Sequence, residues 1–306
     1  MRIVYMGTPA IAATCLERLC RENHEIVGVY TKIDTPSKRG MKLQQSEVKQ
    51  TALAHGLAVY QPETFRDDAV YEELKALEPD LIACVAYGKI LPQRVLDIPR
   101  LGCVNIHASI LPSLRGAGPI QWSILNGCDE TGVTAMYMAK EMDAGDIIEI
   151  ARTPIEPFET SEELTLRLAD LGAELLAKTV AEIEKGNIRR TPQEHEKATY
   201  APMLTKEMSP IDWAKNQRQI VDHVRGMIPW PVATTEIGGK RFKIYRVEPV
   251  EGETEAVPGK LLELNKKGLI VACGEGKMMM ITELQAEGGK RMRAVDYFRG
   301  HPIDLD

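Results

Sequence analysis

Short apolar runs alternate with segments of helical period through the first 185 residues, and the pattern changes after them. Residues 2–6 read as a first buried strand, followed by the turn Gly7-Thr8-Pro9 and an alanine-rich helix to about residue 20. Residues 25–30 and 58–60 give further strands, with a helix over about 46–55 between them. The polar loop 31–49 carries Lys32, Lys38, Arg39, Lys42 and Lys49 against Asp34 and Glu47. Residues 67–77 have a helical pattern, and 80–86 form a continuous apolar run, the mark of a strand covered on both faces. Strands are also expected at 133–138 and 146–153, and the longest helix at 162–185, with Leu164, Leu168, Leu171 and Leu175 at helical spacing. Alternation of this kind predicts an α/β fold with a doubly wound, mostly parallel sheet.

Residues 186–206 contain charge, two prolines and no sustained period. Beyond them come a short helix at 216–225 and short strands near 233–235, 241–245, 259–261, 268–273 and 277–284, separated by glycine-containing turns. That spacing predicts a small β-barrel. The expected division is 1–188, a linker 189–206, and 207–306.

The stretch 101–127 stands at the centre of this plan. An apolar strand over 101–106 ends in Asn105 and His107, two apart and therefore on one side of an extended chain. The carboxyl ends of strands are where open α/β sheets hold ligands. A loop stiffened by Pro112 follows, then the small-residue turn Arg115-Gly116-Ala117-Gly118 and a helix beginning after Pro119. Asn and His at such a place also serve as ordinary turn formers, and Asp143, before Ala144-Gly145, has the same second reading.

Composition narrows the classes. The chain has 306 residues and a formal net charge of −6, so global charge does not advertise a nucleic-acid binder. The acidity is confined to residues 1–205, with 22 basic and 29 acidic side chains, whereas 206–306 have 16 and 15. The cysteines at 15, 20, 84, 103, 128 and 273 form no C-x-x-C and no metal-ligand spacing. No metal site or disulfide framework is expected, which fits a reducing compartment. The first strand begins at once, without a signal-peptide pattern, and no apolar run approaches the roughly 18 residues of a membrane span. A cytoplasmic location is the expectation. Gly-x-Gly-x-x-Gly is missing after the first strand, so a dinucleotide site has little support.

The block Asn105-Ile106-His107-Ala108-Ser109-Ile110-Leu111-Pro112, with Arg115-Gly116-Ala117 and Pro119-Ile120 behind it, resembles the signature of the tetrahydrofolate-dependent formyltransferases. Met6-Gly7-Thr8-Pro9, Ala198-Thr199-Tyr200-Ala201-Pro202, Ile211-Asp212-Trp213 and Pro229-Trp230-Pro231 resemble stretches of those members that act on methionyl-tRNA, so nearly the whole chain is covered. The resemblance implies a Rossmann-like catalytic domain and an OB-like, tRNA-binding second domain. It implies formyl transfer from 10-formyltetrahydrofolate to the α-amino group of methionine on initiator methionyl-tRNA, for translation initiation. Asn105, His107 and Asp143 match the catalytic positions, and Ser109, Ile110, Leu111 and Pro112 the folate-contacting loop. Arg39 and Lys42 match the segment that engages the end of the acceptor stem. Ile110 stands where the family commonly has Leu, and Ser113-Leu114 where it commonly has a basic then an aromatic residue. Members that formylate glycinamide ribonucleotide or an amino sugar nucleotide share Asn105, His107 and Asp143, and the residues after 206 discriminate against them. A tRNA-binding module with a dead transferase domain is disfavoured by the intact polar trio.

Overall fold

The computed structural model describes residues 1–36, 43–303 and 305. Its longer strands and helices follow the apolar runs in order. They begin with Arg2–Gly7 (β1), Ala10–Leu19 (α1), Glu25–Tyr30 (β2), the small antiparallel pair Thr35–Pro36 (β3) and Leu43–Gln44 (β4), and Glu47–Ala54 (α2). Next are Val59–Tyr60 (β5), Asp68–Ala76 (α3), Leu81–Val85 (β6), Gln93–Leu96 (α4) and Cys103–His107 (β7). Pro119–Leu125 (α5), Glu130–Tyr137 (β8), Ile147–Pro154 (β9) and the 25-residue helix Ser161–Lys185 (α6) complete this part. Side-chain caps fix two of the helix starts: Ser46 Oγ accepts from Lys49 N at 3.1 Å, and Asp67 Oδ1 from Ala69 N at 2.9 Å.

The chain divides into two compact units, neither of them continuous in sequence. The first comprises 1–119, 131–153 and 165–201. Its seven-stranded sheet has the order β5-β2-β1-β6-β7-β8-β9. The pairs from β5 to β7 are parallel, and β7 with β8 is antiparallel. From β1 the chain winds outward through β2 and β5 and then returns to build β6 and β7 on the other side. The switch point therefore lies between β1 and β6, and its carboxyl edge is where a doubly wound sheet leaves a crevice. Every residue of β6 is buried, as its unbroken apolar run requires. Val4, Met6, Ile82, Cys84 and Cys103 pack with Tyr30, Phe65, Leu74 and Tyr87 in one core cluster. Along α6, Leu168, Leu175, Leu176 and Val180 are buried. Truncating any of these leucines to alanine costs about 2–5 kcal/mol, so the strands carrying polar groups at their ends stand on a stiff base.

The second unit comprises 120–130, 154–164 and 202–306. It holds Gln217–Gly226 (α7), started by a reciprocal cap between Asn216 and Gln219. Its strands are Ala233–Ile237 (β10), Lys240–Val250 (β11), Leu261–Leu264 (β12), Leu269–Ala272 (β13), Met278–Ala286 (β14) and Met292–Arg293 (β15), followed by the helix Ala294–Gly300 (α8). The sheet order is β10-β11-β14-β13-β12 with β15 on β14, all antiparallel. Its core gathers Ile220 and Val224 of α7, Phe242 and Ile244 of β11, Ile281 and Leu284 of β14, and Phe298 of α8. Trp122 and Leu125 of α5 pack against it. Arg225 ties the segment 154–164 to α7, donating to the carbonyls of Glu156 and Glu159 at 2.9 and 3.0 Å while paired with Asp222 at 2.7 Å.

Candidate active site

The central polar pair stands at the end of β7. Asn105 is opposite Cys84 of β6 and Met136 of β8, and His107 is opposite Thr134. The pleat puts both side chains on one face. His107 is buried, 6 % exposed, and its Nε2 lies 2.9 Å from the carbonyl oxygen of Leu114. A carbonyl only accepts, so the contact fixes the hydrogen on Nε2 and leaves Nδ1 as the variable position. Nδ1 faces Asp143 Oδ2 at 3.6 Å, too long for a hydrogen bond but close enough for an ion pair once the ring is protonated. The Asn105 amide is half-buried and makes no side-chain hydrogen bond among the described residues. Its donors are uncommitted.

Asp143 takes its place through its backbone. It has φ +52°, in the left-handed region that Asp enters more readily than most residues, and its Oδ2 accepts from Gly116 N at 2.8 Å. Gly116 itself has φ +114°, and a Cβ there would come 2.8 Å from the carbonyl oxygen of Ala201. Glycine is required on both counts. Burial pushes the Cys84 thiol up to about 12, and the Asp143 carboxylate adds a smaller push in the same direction.

The loop after β7 is rigid. Ser109 Oγ donates to Ser113 O at 2.6 Å, and Thr134 Oγ1 donates to Ser109 O at 2.6 Å while accepting from Leu111 N at 3.2 Å. The Leu111–Pro112 peptide is cis. Ser109 and Leu111 are buried within this network, whereas Ile110 and Pro112 are half-buried. The expected folate-contacting loop therefore presents Ile110, Pro112 and backbone, with Ser109 and Leu111 holding its shape. Ser113, one of the two departures, is exposed, and Leu114 is buried with φ +60°.

Sequence reasoning missed the partner of this loop. Within the stretch expected as a linker, Thr199 Oγ1 accepts from Leu114 N at 2.9 Å and Thr199 O from Arg115 N at 2.9 Å. Ala201 N donates to Arg115 O at 2.7 Å, and Gly118 N to Ala201 O at 3.0 Å. Gln193 is buried and accepts from Arg115 through Nη2 at 2.6 Å. The one signal in the sequence was the resemblance of Ala198–Pro202, which marked that segment without saying what it touches. Arg39 and Lys42 lie outside the described residues. Of the basic side chains after residue 206, Lys240, Arg241, Lys243, Lys290, Arg291 and Arg293 are all exposed. Among the described residues no group of three or more His, Cys, Asp or Glu gathers for a metal ion, and no helix is long and apolar enough to cross a membrane.

A doubly wound sheet with an uncommitted amide, an imidazole and a carboxylate at the carboxyl end of an inner strand is the frame of a group-transfer enzyme. The formyl transferase model matches residues 1–180, and the model of the formyl transferase C-terminal domain matches 203–302. The chain belongs to the formyl transferase family. It is 47 % identical over 304 residues to a methionyl-tRNA formyltransferase of Alkaliphilus oremlandii, covering 99 % of this chain and 98 % of that one. It is 42 % identical over 303 residues to the methionyl-tRNA formyltransferase of Bacillus subtilis, covering 99 % and 96 %. Solved structures share the fold at lower identity. WlaRD, a sugar 3N-formyl transferase solved in the presence of dTDP and 5-N-formyl-THF, superposes with TM-score 0.69 at 18 % identity over 92 % of this chain and 97 % of that one. HypX from Aquifex aeolicus, in complex with tetrahydrofolic acid, gives 0.64 at 18 % over 100 % of this chain, which spans 48 % of HypX.

Proposed function

We propose that the protein transfers the formyl group of 10-formyltetrahydrofolate to the α-amino group of methionine on initiator methionyl-tRNA, in the cytoplasm. The observation that carries this reading is the unpaired Asn105 amide beside a His107 whose Nε2 is tied down and whose Nδ1 is left to the site. An unperturbed α-amino group titrates near 7.7–8.0, and only its neutral form attacks a carbonyl. As the nitrogen adds to the formyl carbon, the formyl oxygen becomes an alkoxide and the nitrogen must lose a proton. The Asn105 NH₂ donates to that oxygen. His107 Nδ1 accepts the proton, and the Asp143 carboxylate at 3.6 Å offsets the positive charge that forms on the ring. Collapse of the intermediate breaks the bond to the folate nitrogen, which takes up the proton held on His107 Nδ1 and departs as tetrahydrofolate, leaving formyl-methionyl-tRNA and a neutral imidazole. The rim formed by Ile110 and Pro112 offers apolar contact and backbone groups to the flat folate heterocycle.

The acceptor is argued from the full-length similarity to methionyl-tRNA formyltransferases and from the residues after 206. Residues 207–306 act as the tRNA-binding domain, and Arg39 with Lys42 engages the end of the acceptor stem. The test offers purified protein and 10-formyltetrahydrofolate three amines in parallel: initiator methionyl-tRNA, glycinamide ribonucleotide and an amino sugar nucleotide. Formylation of the tRNA alone is the expected result. Faster transfer to either small amine would overturn the assignment.

A further inference from the structure

Gln193 closes a ring of hydrogen bonds around the catalytic carboxylate. It is 6 % exposed, and its amide is committed on both sides. Its Oε1 accepts from Arg115 Nε at 3.2 Å and from Nη2 at 2.6 Å. Its Nε2 donates to the carbonyl of Asp143 at 2.9 Å and to that of Gly145 at 2.8 Å. Asp143 is thus gripped twice, by Gln193 at its backbone and by Gly116 N–H at its carboxylate. Its left-handed φ is a conformation that persists only where surrounding bonds over-determine it. Without Gln193 the Asp143 carbonyl is released, and the turn is free to relax and carry the carboxylate away from His107 Nδ1.

We infer that Gln193 is a positioning residue for formyl transfer, acting through the turn 143–145 on the Asp143 carboxylate and not on substrate. The inference rests on the role given to Asp143 above. An amide is needed because the site asks for two acceptor contacts on one side and two donors on the other. Glutamate would keep the bond to Arg115 and lose both donors, which separates the two halves of the ring. Methionine is similar in length and makes none of the four bonds.

Gln193→Glu, Gln193→Met and Asp143→Asn are compared with the unaltered full-length protein. Steady-state kinetics give kcat and KM for folate and tRNA, thermal unfolding gives the midpoint, and amide exchange is followed at Gly116. For Gln193→Glu we expect a folded protein, kcat lower by roughly 10–100-fold, both KM values within about two-fold, and faster exchange at Gly116 as its acceptor withdraws. Gln193→Met carries the same expectation and serves if the added charge unfolds the first variant. Unchanged kcat with unchanged Gly116 protection overturns the inference, and so does a lowered kcat with Gly116 still protected. Full activity of Asp143→Asn overturns instead the catalytic reading on which it rests.

Discussion

The two amide hydrogens of Asn105 are given to no acceptor among the described residues. Preorganised donors of this kind contribute most when charge develops in front of them, and removing one typically costs about 2.7–4 kcal/mol of transition-state stabilisation. Asn105→Ala is therefore expected to lower kcat by roughly 10²–10³-fold. It should leave the thermal midpoint nearly unchanged, because no protein hydrogen bond is broken. Single-turnover rates at saturating substrates check this, and a rate within about two-fold of normal would remove Asn105 from the transition state. The placement of Asn105 and His107 on one side of a strand end was legible in the sequence, because their two-residue spacing is a geometric statement about a strand. Their candidacy for the chemistry, like that of Asp143, came from the family pattern. Gln193 and Thr199 were not legible. Their work is done by side-chain bonds to backbone or to Arg115, across 78 residues of chain in the case of Gln193 with Arg115. Neither spacing nor period records such a partner.

At the scale of elements, periodicity succeeded where an element buries a long regular face. The runs behind β6 and α6 predicted both, and Pro119 predicted the start of α5. The short elements escaped it: α4, β15 and the seven-residue α8 are too brief to establish a period. The stretch 189–206 escaped for another reason. Its order comes from isolated bridges, Thr191 with Ile147 and Tyr200 with Arg115, and from side-chain hydrogen bonds, so it looks structureless to any pattern of polar and apolar positions. Within α7, burial holds the His223 imidazole below its ordinary value, against weaker upward pulls from the Ser209 carbonyl and Asp212. The folded chain therefore binds this proton less readily than the unfolded one. The contribution to stability is complete above the unfolded value of about 6.5 and is lost progressively as pH falls below it. Nε2 lies 3.2 Å from Ser209 O, a hydrogen bond that a glutamine amide can replace. Urea unfolding at pH 7 and pH 5.5 should show a smaller difference in midpoint for His223→Gln than for the unaltered protein. An identical difference would mean that other groups set the acid sensitivity.

At the scale of the whole molecule, charge distribution matters more than net charge. The near balance of residues 206–306 conceals how the folded second unit sorts its cations. Arg291 is occupied: it pairs with Glu283 at 2.9 Å and lies over the Tyr245 ring at 4.6 Å. Lys266, Arg293 and Arg299, in contrast, line one cleft of about 490 Å³ with Leu264, Asn265 and Val295. Arg293 donates to a carbonyl, Lys266 O at 3.5 Å, and Arg299 has an exposed pair with Asp296 at 3.4 Å, a kind of interaction worth little in water. Three cations around one cleft are suited to a phosphate backbone. Truncation near residue 206 is a poor probe of them, since 120–130 and 154–164 belong to the same compact unit and would be left without their core. Lys266, Arg293 and Arg299 are all exposed, so substituting them removes charge without touching the buried core of the unit. The triple change Lys266→Ala, Arg293→Ala, Arg299→Ala is expected to weaken binding of initiator methionyl-tRNA. The slope of log affinity against log salt should fall by about one for every phosphate that these side chains neutralise. Arg291→Ala, removing a cation already paired, should change that slope little. If the triple variant kept the unaltered slope while Arg291→Ala lowered it, the phosphate-facing surface of this unit would have to be sought on the Tyr245 side of the sheet instead.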